Sequence, residues 1–184
     1  MARTSANPDG LEGRLYLPTG DVQEIRYMPT RDDMRHMGAA LKQAQQGLGE
    51  GNSPVGAVLV TPTGAFEDHS REATTQDLRS HAELNVYDQA QSEYGLDLSS
   101  SMIYSTLSPC GMCFSLLTQG HVGAIYIAAE YKDVPEFVRP RDYDFDKMLR
   151  SAGRNILVVA GLRKAEAIKL MQPGNKKHKS AGQN

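Results

Sequence analysis

Residues 102–128 read MIYSTLSPCGMCFSLLTQGHVGAIYIA, and the fold is decided in this stretch. Met102–Thr106 is a short apolar run that reads as a strand. Ser108–Pro109 ends it and starts a helix, because serine is a good cap and proline is tolerated in a first helical turn. Cys110 and Cys113 lie at the beginning of that helix, and Ala124–Ala128 returns as the next strand.

Working outward, the same alternation continues on both sides. Upstream, TRDDMRHMGAALKQAQQ begins with a capping Thr30 and places Met34, Met37, Leu41 and Ala44 at helical spacing. After a Gly-rich GLGEGNSP, Val55–Thr61 is an apolar run expected to be a buried strand, and Pro62–Thr63–Gly64 supplies a turn into a short second strand. Ser70–Ser80 is polar and reads as a loop, after which His81 opens a helix with Leu84, Tyr87 and Ala90 facing inward. Downstream come a helix near Tyr143–Ala152, a strand over Ile156–Ala160 and a helix over Arg163–Met171. Helices alternating with strands imply an α/β layered sheet. Residues 1–28, rich in Gly, Pro, Asp and Thr, read as a loosely ordered N-terminal arm. The domain spans residues 29–172, and residues 173–184 read as a disordered basic tail.

Composition narrows the function. The 184 residues are 40% hydrophobic and carry a net charge of −2, which suffices for one core and gives a polyanion no overall attraction. Nucleic acid is therefore a disfavoured partner. With no long apolar run, a membrane is excluded as a partner, and the chain reads as cytoplasmic. Its two cysteines sit three positions apart, which points to metal or redox chemistry rather than a disulfide framework.

On a helix that spacing puts both sulfurs on one face, where they can hold one ion. The helix N-terminus favours the thiolate that a ligand must be. His81 is a candidate third ligand, and three ligands on a tetrahedral zinc leave a position for water, whose pKa the ion lowers. Glu83, two residues after His81, is the natural proton shuttle. Two rival readings use the same cysteines. A thioredoxin-like redox pair does not require His-x-Glu upstream, and a closed structural zinc needs a fourth ligand, for which His36, His69 and His121 are the candidates.

The joint pattern His81–Ala82–Glu83 followed by Pro109–Cys110–Gly111–Met112–Cys113 matches the signature of zinc nucleobase deaminases. From about Thr30 to Met171 the chain resembles the cytidine deaminase superfamily. TLSPCGMC is most similar to fungal-type cytosine deaminases, and HAELN to deoxycytidylate deaminases. The resemblance implies a three-layer α-β-α, cytidine-deaminase-like fold with a central mixed five-stranded sheet. It implies a zinc cofactor on His81, Cys110 and Cys113, with Glu83 catalytic and backbone amides near Ala82 and Cys110 against the substrate. It also implies a homodimer. At the position where fungal-type relatives carry a base-reading asparagine, this chain has Ser70; Asp68, His69 and Arg71 are candidate substitutes. Tyr131 and Asp133 are further candidates to line a pocket. The expected activity is hydrolytic deamination of a small nucleobase or nucleoside, with a cytosine-like aminopyrimidine favoured. The alternatives are guanine deaminase, tRNA adenosine deaminase, and a zinc-containing binding module without turnover, against which the intact Glu83 argues.

Overall fold

The computed structural model describes residues 10–138 and 144–172. Seven strands form one sheet: β1 (Leu11–Tyr16), β2 (Val22–Tyr27), β3 (Gly56–Val60), β4 (Ala65–His69), β5 (Met102–Leu107), β6 (Ala124–Ala129) and β7 (Ile156–Ala160). Their order across the sheet is β2-β1-β7-β6-β5-β3-β4. β5, β6 and β7 run parallel, whereas β3 is antiparallel to both β4 and β5. The sheet is mixed, as expected.

Side-chain alternation sorts each strand between two cores. Val58, Tyr104, Tyr126 and Val159 face α1 (Arg31–Gly49) and α6 (Lys164–Leu170). Ala57, Leu59, Ile103, Ile125 and Ile127 face α3 (Ala82–Tyr94), α4 (Gly111–Gln119) and α5 (Phe145–Arg150). The result is three layers, helix on sheet on helix. A short α2 (Glu72–Thr75) lies in the loop before α3. On α1 the expected inward residues Met37, Leu41 and Ala44 are buried, but Met34, one turn from the helix start, is exposed. The chain runs close where α1 crosses β3: a side-chain carbon on Gly56 would overlap the Ala40 carbonyl and come within 2.9 Å of Gln43 Cβ.

The sheet has seven strands where five were expected. The extra pair, β1 and β2, is an antiparallel hairpin joined to the edge of β7. Residues 11–27 are thus part of the sheet rather than a loosely ordered arm. Gly20, at φ +87°, allows the turn between them, and Tyr16 is buried with its hydroxyl donating to Asp146 at 3.1 Å. The turn Leu17–Asp21 interrupts the segment, and the two strands on either side of it are only six residues each, too short for a sustained period. The basic tail, residues 173–184, lies outside the described residues. Among those described, no helix is long and apolar enough to cross a membrane.

Thr30 caps α1 through a capping box with Asp33. Asp33 is buried, and it also accepts hydrogen bonds from Tyr27 at 2.9 Å and Tyr104 at 2.7 Å. The Tyr104 and Tyr126 rings stack at 4.6 Å beneath it. Burial works against the Asp33 charge, but the donors from Thr30, Tyr104 and Tyr27 outweigh it and hold the carboxyl below its ordinary value. Hydrogen bonds to a charged group contribute roughly 1.5–3 kcal/mol, so Asp33→Asn should destabilise by about 2 kcal/mol at neutral pH. Because the folded carboxyl titrates below the unfolded one, this contribution is present above the unfolded pKa and lost as pH falls through the folded one. Denaturant unfolding at neutral pH and near pH 3 should show the gap between wild type and Asp33→Asn closing in acid; a constant gap contradicts the assignment.

Candidate metal centre and active site

Two helix starts converge at one end of the sheet. β5 ends at Leu107, Ser108–Pro109 turns the chain, and Cys110 is the N-cap of α4 with extended backbone. Serine was the expected cap, but the helix begins two residues later and leaves Cys110 at its mouth. His81 takes the same place on α3, also as an extended N-cap without a side-chain capping bond. Neither side chain is consumed in capping its own helix, so both are free to point at each other.

His81 Nδ1 lies 3.5 Å from Cys110 Sγ and 3.3 Å from Cys113 Sγ, and the two sulfurs are 3.6 Å apart. A tetrahedral zinc with bonds of about 2.0–2.3 Å would space nitrogen and sulfur donors by about 3.5–3.8 Å. The triangle therefore fits the ion. Among the described residues the cluster has three members. The hydrogen bond from Cys113 holds the Cys110 thiol down at about 4, with burial opposing and His81 assisting. Hydrogen bonding to Cys110 and then to Glu72 raises His81 to about 10. Cys113 is pushed up by its bond to Cys110, by burial and by the neighbouring Glu83. In its protonated form the cluster thus pairs a Cys110 thiolate with a His81 imidazolium, while Cys113 keeps its proton. A divalent cation takes the place of both protons.

Glu83 sits in the first turn of α3 and is buried. Its Oε2 is 3.6 Å from Cys113 Sγ, and Ser105 Oγ, on the face of β5 turned toward α3, is 3.0 Å from its Oε1. Ser105 is also 2.7 Å from the Leu107 carbonyl, and its one proton serves a single acceptor at a time. Burial pushes the Glu83 carboxyl up, against the pull of its own backbone amide, His81 and Ser105. Such a group holds a proton more readily than a solvated carboxylate does.

A cavity of about 450 Å³ opens onto this centre. Glu83, His81, Cys110, Ala82, Ser70 and Glu72 line its polar side, while Leu48, Val55, Leu107, Phe137 and Val138 give it apolar walls. Ser70 and Ala82, two of the residues expected near the substrate, line this cavity. Asp68 and His69 are not among the lining residues. Asp68 is turned to Arg71 at 2.7 Å and Gln89 at 3.2 Å. His69, on the other side of β4, packs over Gly47 and meets Glu50 at 2.8 Å and Gln43 at 3.1 Å. Neighbouring residues of a strand face opposite ways, so three consecutive positions could not all reach one pocket. Arg71 is likewise outside the lining, held to Asp68. Tyr131 lines the cavity, but Asp133 turns away to Lys164 at 3.2 Å. His36 stacks beside Tyr104 in the α1 core, and His121 is exposed near Asp97, so neither joins the metal donors.

Besides other residues of the apolar wall, Ser105, Phe137 and Glu72 escaped sequence reasoning. Ser105 faces Glu83 by strand alternation within an apolar run. Phe137 comes from a loop. Glu72, in the polar segment read as plain loop, has Oε1 3.0 Å from His81 Nε2. Only the polarity at position 105 within a buried strand was a usable signal.

Residues 30–129 match the model of the cytidine and deoxycytidylate deaminase zinc-binding region. Over 112 residues, 61% of this chain, it is 34% identical to the tRNA(Ile)-lysidine synthase of Thermus thermophilus, but it spans only 21% of that protein's length. It is 32% identical over 102 residues to the tRNA-specific adenosine deaminase of Bacillus subtilis, covering 54% of this chain and 63% of the relative. The guanine deaminase structure from Nitrosomonas europaea superposes with a TM-score of 0.68 at 23% identity, over 77% of this chain and 84% of that one. This last likeness establishes the shared fold.

Elemental analysis should find one zinc per chain. Cys110→Ser and Cys113→Ser should each lose metal and thermal stability together, and full zinc occupancy in either variant would remove that cysteine from the ligand set. Because His81 and Cys113 hold protons that the ion must displace, zinc affinity should weaken as pH is lowered. With the donor triangle, the adjacent carboxylate and the matched zinc-binding region in agreement, the chain belongs to the cytidine and deoxycytidylate deaminase family.

Proposed function

We propose that the protein is a zinc-dependent hydrolase that deaminates a small nucleobase or nucleoside, with a cytosine-like aminopyrimidine favoured over guanine. The observation that carries this reading is the buried Glu83 carboxylate beside the three-donor cluster, at the head of a cavity of about 450 Å³ with apolar walls. That volume lies within the roughly 300–1,000 Å³ usual for small-molecule sites. Glu72 and Glu83 on the polar side suit an uncharged heterocycle better than a phosphate.

When bound, the zinc would supply an acidified water. Glu83 takes a proton from the attacking water and gives it to the ring nitrogen, while the water oxygen bonds to the amine-bearing carbon. The second proton then passes through Glu83 to the exocyclic nitrogen. The C–N bond breaks with its electron pair on nitrogen, ammonia leaves, and the carbon keeps the oxygen as a carbonyl. The amide of Ala82, in the first turn of α3 with no partner inside its own helix, would contact the heterocycle in this reading.

Glu83→Gln should keep zinc and fold but lose about 10²–10⁴-fold in turnover while still binding substrate. Near-normal ammonia release from this variant would end the assignment, and no release from any heterocyclic amine by wild type would favour a binding module.

A second reading, tRNA adenosine deaminase, is favoured by the similarity to two proteins named for tRNA, whereas the net charge of −2 supports the first. Ammonia release should be compared for free bases, nucleosides and tRNA between roughly 50 and 200 mM salt, a range over which phosphate-gripping proteins lose affinity steeply. Turnover of bases or nucleosides with little salt dependence is expected. Activity confined to tRNA and falling steeply with salt would establish the second reading.

A further inference from the structure

The segment between β4 and α3 carries Glu72 to the back of His81. The imidazole presents Nδ1 to the two sulfurs, and its Nε2 is 3.0 Å from Glu72 Oε1. The other carboxylate oxygen, Oε2, accepts from Ser70 Oγ at 3.3 Å. The segment is closed on itself by Arg71 N–H donating to the Ser80 carbonyl at 2.8 Å, and Ser70 N–H donates to the Val55 carbonyl at 2.9 Å. Thr74 further ties it to Asn52, with its amide donating to Asn52 Oδ1 at 3.1 Å. Glu72 is therefore held in place by a bonded loop rather than reaching by chance.

We propose that Glu72 is a positioning residue for the metal centre. It accepts the Nε2–H of His81, which fixes the tautomer with a lone pair on Nδ1 and sets the ring plane toward Cys110 and Cys113, with Ser70 steadying the carboxylate. An imidazole whose outer nitrogen is unclaimed can place its proton on either nitrogen and can rotate; a carboxylate on Nε2 leaves only the tautomer that can ligate through Nδ1. The arrangement also gives Ser70 a task other than reading the base. Its one proton has Glu72 Oε2 at 3.3 Å and the Ser80 carbonyl at 3.5 Å as acceptors; when it serves Glu72, the hydroxyl acts on the substrate through the metal ligand, not as a substitute for the asparagine of the fungal-type relatives.

The inference rests on the reading of His81 as a zinc ligand, and the test separates the two. Zinc affinity of the full chain is measured by competition with a chromophoric chelator for wild type, Glu72→Ala, Glu72→Gln, Ser70→Ala, His81→Ala and the His81→Ala/Glu72→Ala double variant. Loss of such an outer partner typically weakens metal binding about 10–100-fold. Glu72→Ala is expected in that range. Glu72→Gln, whose amide oxygen can still accept Nε2–H, should recover part of the loss, and Ser70→Ala should show a smaller weakening. In the His81→Ala background, removing Glu72 should cost nothing further. Wild-type affinity in Glu72→Ala, or an equal loss with and without His81, overturns the positioning role. Unchanged affinity in His81→Ala overturns instead the ligand assignment on which it stands.

Discussion

Three donor atoms from two helix starts meet within 3.6 Å of one another, and most of the architecture serves that meeting. His81 and Cys110 both occupy N-cap positions in extended backbone, so their side chains point off the ends of α3 and α4 rather than along them. Bringing two such ends together requires α3 and α4 to pack on the same face of the sheet, which they do through Val86, Tyr87, Phe114 and Leu117. The positive ends of both helices then face a centre built from a thiolate and a carboxylate, a pairing that helix dipoles favour.

Two of the buried carboxyls among the described residues show how environment divides structural from chemical tasks. Asp33 and Glu83 are equally withdrawn from solvent, yet they shift in opposite directions. Asp33 sits among four donors from Thr30, Tyr27 and Tyr104, which stabilise its charge and make it a fixed acceptor joining α1 to the sheet. Glu83 has its own backbone amide, the weak donor Cys113 Sγ at 3.6 Å and the hydroxyl of Ser105, whose proton is shared with the Leu107 carbonyl. Burial therefore dominates at Glu83 and raises its hold on a proton. A carboxyl whose donors do not outweigh its burial is a poor structural anchor and a good proton carrier.

Much of this was legible in the linear chain. The helix-strand alternation from Thr30 to Met171, the cap at Thr30 and the strand at Ile156–Ala160 follow from periodicity and spacing, which are local properties; the association of His81 with Cys110 and Cys113 came instead from the resemblance to zinc nucleobase deaminases. The hairpin over residues 11–27 was not legible, because an edge hairpin buries few side chains and its two six-residue strands carry no sustained period. Nor was the fate of Asp68, His69 and Ser70. They are adjacent in sequence, but strand alternation sends His69 to α1 and Asp68 toward α3, leaving only Ser70 at the cavity.

The sequence by itself determined which residues have the chemistry: a Cys-x-x-Cys spacing that shares a helix face, a histidine at a helix start, and a glutamate two residues on. Tertiary structure alone decided their company. Glu72 stands nine positions before His81 in a polar segment with no periodic signal, and it reaches Nε2 only because the Arg71–Ser80 backbone bond closes that segment. Ser105 reaches Glu83 only because β5 presents that face to α3. Such contacts arise from loop closure and from the packing of distant elements, and neither leaves a local pattern to be read.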